Sequence, residues 1–207
     1  MMSSTRATPA RGLKLALQLG VLMMAVGCGD PYRDRLIDGL PEEDPNFQPG
    51  ELHRPGQPCL ACHSAYGGAP DFSLGGTLFS GAKPTETPTM LGGYTLRVYD
   101  SEGQSRDMLS NACGNFHIRR KDWDPAFPLR AELYQDNPAQ PGKLIQLTIM
   151  STRIAREGSC AGCHIGHPSP LSPGVVEVPG TTPSAVSDAC PPPWLGPDPR
   201  APVQGLK

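Results

Sequence analysis

Three absences narrow what this 207-residue chain can be. Its middle has no segment with convincing helical spacing of apolar residues, which turns the reading away from a helical bundle. Its one apolar stretch, Leu13 to Val26, is too short for a comfortable membrane span. It has no excess of positive charge: 18 Lys and Arg stand against 20 Asp and Glu, a formal charge of −2. Nothing here suits a polyanion, so nucleic-acid binding is disfavoured. Histidine and cysteine are also scarce, at 5 and 7 residues. Where they cluster, the pattern therefore carries information.

They cluster twice in the same way. Cys59-Leu60-Ala61-Cys62-His63 is restated as Cys160-Ala161-Gly162-Cys163-His164. Cys-x-x-Cys-His is the attachment pattern of a c-type haem: two thiols form thioether bonds to the porphyrin vinyls, and the adjacent histidine reaches the iron. The expectation is two covalent haems c, held by Cys59, Cys62, Cys160 and Cys163, with His63 and His164 as metal ligands. Other readings fit less well. A zinc ribbon has its two knuckles roughly 15–20 residues apart, whereas these lie about a hundred apart. A dithiol redox pair caps a helix, but Gly67, Gly68 and Pro70 follow one motif and Gly166, Pro168 and Pro170 the other. Structural disulfides among the four thiols remain a third reading.

The N-terminus reads as an export signal over residues 1–27. Arg6, Arg11 and Lys14 form a basic region, the short apolar stretch follows, and no acidic residue occurs before Asp30. Ala25-Val26-Gly27-Cys28 resembles a bacterial lipobox, in which the cysteine becomes the acylated N-terminus. The resemblance implies a lipidated Cys28, an anchor on a bacterial envelope membrane, and a chain facing the periplasm or the cell surface. An ordinary signal peptide cut nearby is the alternative. Loss of the three basic residues leaves 15 against 20 acidic, about −5, which suits a basic redox partner protein. Export agrees with the haem reading, because bacterial haem c is attached outside the cytoplasmic membrane. Residues 28–58, rich in Pro and acidic residues, read as a polar tether.

Between the motifs the period changes to two. Phe72–Phe79, Tyr94–Tyr99, Phe116–Ile118, Leu129–Tyr134 and Leu144–Met150 are short alternating runs, separated by Ser101-Glu102-Gly103, Cys113-Gly114-Asn115 and Gln135-Asp136-Asn137-Pro138. The predicted fold is mainly β: a small antiparallel sandwich at 72–150, flanked by haem-binding loops at 59–71 and 151–177, with a Pro-rich tail at 178–207 that wraps loosely or is disordered. Gly76-Thr77-Leu78-Phe79, Leu96 to Asp100 with Gly103, Asn111 to Phe116 and Leu129 to Tyr134 resemble the transthyretin-like or carboxypeptidase-regulatory sandwiches. That resemblance implies a scaffold without catalytic residues of its own. A sandwich flanked by two such motifs resembles small dihaem lipoproteins of environmental Gram-negative bacteria.

Two cysteines are left over, Cys113 and Cys190. In an oxidising compartment they form a disulfide or stand as separate thiols. Three further histidines could close the irons. His167, three residues past His164, cannot easily swing to the far face of its own haem and is assigned to the iron at Cys59 and Cys62. The other iron then draws on His53 or His117, with His53 favoured because it lies on a loop; a solvent-facing strand residue is the plain reading of His117. Met90, Met108 and Met150 read as core or surface residues. The expected activity is single-electron transfer, with no catalytic residue assigned. A peroxidase-like enzyme with one open iron and a haem-bearing interaction or sensor module are the alternatives.

Overall fold

The computed structural model describes residues 30–65, 67–68, 70–80, 87–166, 168, 172–181 and 186–196. The signal segment, Cys28 and His167 lie outside them. The chain forms two compact units, residues 1–39 and 40–207.

The described part of the first unit is helix α1 (Pro31–Asp38). Composition made this stretch part of a tether, but local signals favour a helix. Proline occupies its first position, where no hydrogen bond is lost, and the Asp30 carboxylate accepts from the Arg33 N–H at 3.2 Å. Among the described residues no helix is long and apolar enough to cross a membrane.

The second unit is mainly β, as the alternation predicted. Its strands are β1 (Phe72–Ser80), β2 (Thr95–Tyr99), β3 (Ser105–Leu109), β4 (Asn115–Arg119), β5 (Arg130–Asp136), β6 (Leu144–Ile149) and β7 (Val176–Val178). They make one sheet in the order β4-β1-β7 and a second in the order β3-β2-β5-β6. The neighbours are antiparallel except for β1 and β7, which run parallel. Between the sheets lie Leu74, Leu78, Leu96, Val98, Met108, Phe116, Leu129, Leu133 and Val178. Strand β2 shows how sequence becomes layer: Leu96 and Val98 are buried while Thr95, Arg97 and Tyr99 are only half-buried.

Two strands escaped the sequence reading. In β3 only Met108 is buried, so an edge strand with a single inward side chain carries no visible alternation. It is held by its turn, where the Asp100 carboxylate accepts from the Glu102 and Gln104 N–H groups at 3.0 and 2.8 Å. A two-point contact from Arg97 to Asp107, at 2.6 and 2.7 Å, joins it to β2. Strand β7 is three residues long, too short for any pattern.

The tether and the loose tail need correction where they belong to this unit. Pro55 is fully buried and Gln57 is buried. The Gly56 N–H donates to Thr77 Oγ1 at 2.7 Å, and Asn115 Nδ2 donates to the His53 carbonyl at 3.1 Å. From the tail, the Trp194 N–H donates to the Pro55 carbonyl at 2.9 Å. A disulfide joins Cys113 to Cys190, with Cα atoms 5.4 Å apart. Around it Phe79, Met90 and Val175 form a second, smaller core.

These additions explain β1, which is buried along its whole length. Successive side chains of a strand point to opposite faces. Leu74 and Leu78 face the sandwich, while Thr77 and Phe79 face outward into the loops and tail. A strand covered on both faces is where the two motifs converge.

Candidate cofactor site at the Cys-x-x-Cys-His loops

The two pentapeptides fold alike. Residues Cys59–Cys62 make a single helical turn, α2, closed by the His63 N–H donating to the Cys59 carbonyl at 2.9 Å. Residues Cys160–Gly162 make a 3-10 turn, with the His164 N–H donating to the Cys160 carbonyl at 2.8 Å. Residues three apart on such a turn lie on one side, so each loop presents its two sulfurs together with the histidine next to them. No disulfide joins these four thiols. Cys59, Cys62 and Cys160 are half-buried, and Cys163 is exposed.

Both loops attach to β1. The Phe72 N–H donates to the His63 carbonyl at 3.0 Å, and the Gly75 N–H donates to the Gly158 carbonyl at 3.0 Å. Gly75 also forms a parallel bridge with Ser159. The close approach depends on missing side chains. A Cβ on Gly75 would meet Cys59 Cβ at 3.2 Å, and one on Gly76 would meet Cys160 Cβ at 2.7 Å and Phe116 Cζ at 2.8 Å. Because neighbouring Cβ positions point to opposite faces, Cys59 lies on the outer face of β1 and Cys160 on its inner face. The sequence carried a signal for this: a glycine pair within a strand marks close approach of another chain segment.

The electrostatics of Cys59 and Cys160 are not those of a dithiol redox pair. Burial pushes the Cys59 thiol up to about 11. Burial, with added repulsion from Cys59 and then Cys163, pushes Cys160 up to about 12. A dithiol redox site needs the opposite, a depressed thiol that ionises near neutral pH. The histidines of the motifs share one arrangement. His63 Nδ1 lies 2.9 Å from the Pro70 carbonyl oxygen, and His164 Nδ1 lies 2.9 Å from the Gly174 carbonyl oxygen. A carbonyl only accepts, so Nδ1 carries the proton and the lone pair is at Nε2. Burial lowers the His164 pKa against the opposing effect of that carbonyl, which keeps the ring neutral and able to act as a donor.

A cavity of about 350 Å³ opens at the first loop, lined by Cys59, Cys62, His63, Phe72 and two of the further histidines, His53 and His117. His117, on β4, stacks on Phe72 with ring centres 4.2 Å apart, and Phe72 stacks in turn on His63 at 4.3 Å. Burial is the main cause that lowers the His117 pKa; nearby Glu51 opposes it. The solvent-facing reading of His117 therefore gives way to a half-buried ring in a cavity wall. His53 lies beside His63, with ring centres 5.6 Å apart and planes tilted by 54°. Ser64 Oγ, next to His63, and Ser159 Oγ, next to Cys160, are buried without a hydrogen-bond partner. Among the described residues no three His, Cys, Asp or Glu side chains are grouped to hold a bare metal ion.

No family model matches the chain, and neither does any curated protein or solved structure.

Proposed function

We propose that the chain is an envelope-anchored c-type cytochrome that binds two covalent haems and passes single electrons. The observation that carries this reading is the matched contact of His63 and His164, each with Nδ1 2.9 Å from a backbone carbonyl oxygen. In two separate loops, Nδ1–H donates to a backbone carbonyl, and Nε2 is left with its lone pair free for a metal, beside a pair of thiols that form no disulfide. That is how proteins orient a histidine for a metal. A porphyrin brings four nitrogen donors of its own, so one or two imidazoles per loop suffice where a bare ion would need more. Three further features fit a bound group. They are the cavity over the first loop, the glycine pair that admits sulfur on both faces of β1, and a buried hydroxyl without a partner at each motif.

Bound haem would supply one-electron chemistry. The chain's own part is to hold and orient it. Cys59 and Cys62 with His63 would take one haem, and Cys160 and Cys163 with His164 the other. The glycine pair of β1 keeps the two attachments on one strand, which favours exchange between cofactors over independent sites. The test is a haem stain after denaturing electrophoresis, with intact mass. Two haems should remain bound through acidified acetone, Cys59→Ala and Cys160→Ala should each remove one firmly held haem, and complete extraction by the acid would end the proposal.

The lipobox resemblance at Cys28 supplies the anchor of this reading. Cys28→Ser is expected to release the protein from the membrane fraction with haem attachment intact. Retention of the variant on membranes through a high-salt wash would argue against a lipid anchor, since acyl chains hold far more firmly than charge contacts do.

A further inference from the structure

We infer that His53 and His63 are the two axial donors of a single iron, the one carried by Cys59 and Cys62, and that this iron is closed to outside ligands. The inference rests on the haem reading above and adds an assignment that the motif does not contain.

His53 is presented by a fixed loop. Its N–H donates to the Gly50 carbonyl at 3.2 Å, and Nδ1 is hydrogen-bonded to the same carbonyl oxygen. Its own carbonyl accepts from Asn115 Nδ2 at 3.1 Å. The Glu51 carbonyl accepts from Asn111 Nδ2 at 2.7 Å, and the Gly56 N–H is held by Thr77. The loop is thus tied to the outer side of the β4-β1-β7 sheet both before and after the histidine. As in His63, the bond from Nδ1 to a carbonyl leaves the lone pair at Nε2.

Distance then selects the partner. Two metal–nitrogen bonds of about 2 Å each set imidazoles on opposite sides of one metal about 6 Å apart between ring centres. The His53 and His63 rings are 5.6 Å apart and tilted rather than stacked, and both residues line the same cavity as Cys59 and Cys62. His117 is excluded from the same role by its neighbour. Phe72 lies between it and His63, stacked on both rings, so those two imidazoles are spaced by a phenyl ring and are too far apart to share one metal. The assignment departs from the sequence expectation, which gave His167 to this iron and His53 or His117, with His53 favoured, to the other.

The experiment uses the full haem-loaded chain. Carbon monoxide should not shift the reduced spectrum of the first haem in the parent protein. In His53→Ala and His53→Gln half of the total haem should become high-spin and bind carbon monoxide, with two covalent haems still found by mass. Added imidazole should restore the low-spin spectrum, which a merely structural role for His53 would not allow. In Cys160→Ser/Cys163→Ser, where the first haem alone is attached, His53→Ala should convert all of it. The assignment is overturned if the first haem of the parent already binds carbon monoxide. Low-spin spectra unchanged in both His53 variants would overturn it too and return the role to His167. Absence of covalent haem by mass would instead strike the underlying haem reading, so the two failures are told apart.

Discussion

Gly158→Ala is expected to destabilise the chain strongly, by adding a single methyl group where there is no room for it. A Cβ at residue 158 would lie 2.0 Å from the Ser73 carbonyl oxygen and 2.8 Å from Leu74 Cα. Both are backbone atoms of β1, which is buried throughout, so no side chain can swing away to make room. The accommodation left is for the second loop to lift off the strand. That breaks the bond from the Gly75 N–H to the Gly158 carbonyl and moves Cys160 out of its place against the inner face. Overpacking of this kind costs about 1–3 kcal/mol, and the lost hydrogen bond adds about 1 kcal/mol. The urea midpoint should fall with an unchanged slope, and attachment at Cys160 and Cys163 should fall with it.

Two companion substitutions grade the effect. Gly76→Ala meets side-chain atoms of Cys160 and Phe116 at 2.7 and 2.8 Å, and Phe116 is buried in the core, so it should be costly but less so. Gly75→Ala meets Cys59 Cβ at 3.2 Å, a tight contact that a small shift relieves. The expected order of destabilisation is 158, then 76, then 75, with the last acting on the first loop alone. An equal midpoint for Gly158→Ala and the parent protein would mean that the second loop is not held on β1 as described.

What the sequence made legible follows from where the information is stored. The two pentapeptides stood out because their Cys and His lie within five adjacent residues, whatever the fold. The main core could be read because strands such as β2 alternate between buried and half-buried side chains. Residues 51–58 were misassigned for a physical reason: their attachment runs through backbone groups, such as the Glu51 and His53 carbonyls that accept from Asn111 and Asn115. Composition counts side chains and is blind to such bonds. The same holds for β3, where one inward residue leaves no period to detect. For His53, nearness to the first motif was visible in the chain. Which ring it faces was not, because that depends on Asn115 of β4 fixing a loop 62 residues away in sequence.

Removal of the Cys113–Cys190 disulfide is expected to have the second large effect, and to show it in two places. The bridge spans 77 residues. In the chain-entropy account, a loop of that length stabilises the folded state by about 4.5 kcal/mol. The double variant Cys113→Ser/Cys190→Ser should therefore unfold at much lower urea. The loss should also be local. Cys113 and Cys190 form the small outer core with Phe79, Met90 and Val175, and the tail beyond them donates from Trp194 to the Pro55 carbonyl. Pro55 lies two residues after His53, so the released tail loosens the loop that presents that ring. Limited proteolysis should cut first around residues 186–196, and, with haem held as proposed, part of the first haem should turn high-spin under conditions where the sandwich is still folded. If the variant keeps its urea midpoint and its tail stays protected, the bridge is not what holds the outer layer on β1. If the tail is cut while the spectrum stays low-spin, the Asn115 contact alone suffices to hold His53.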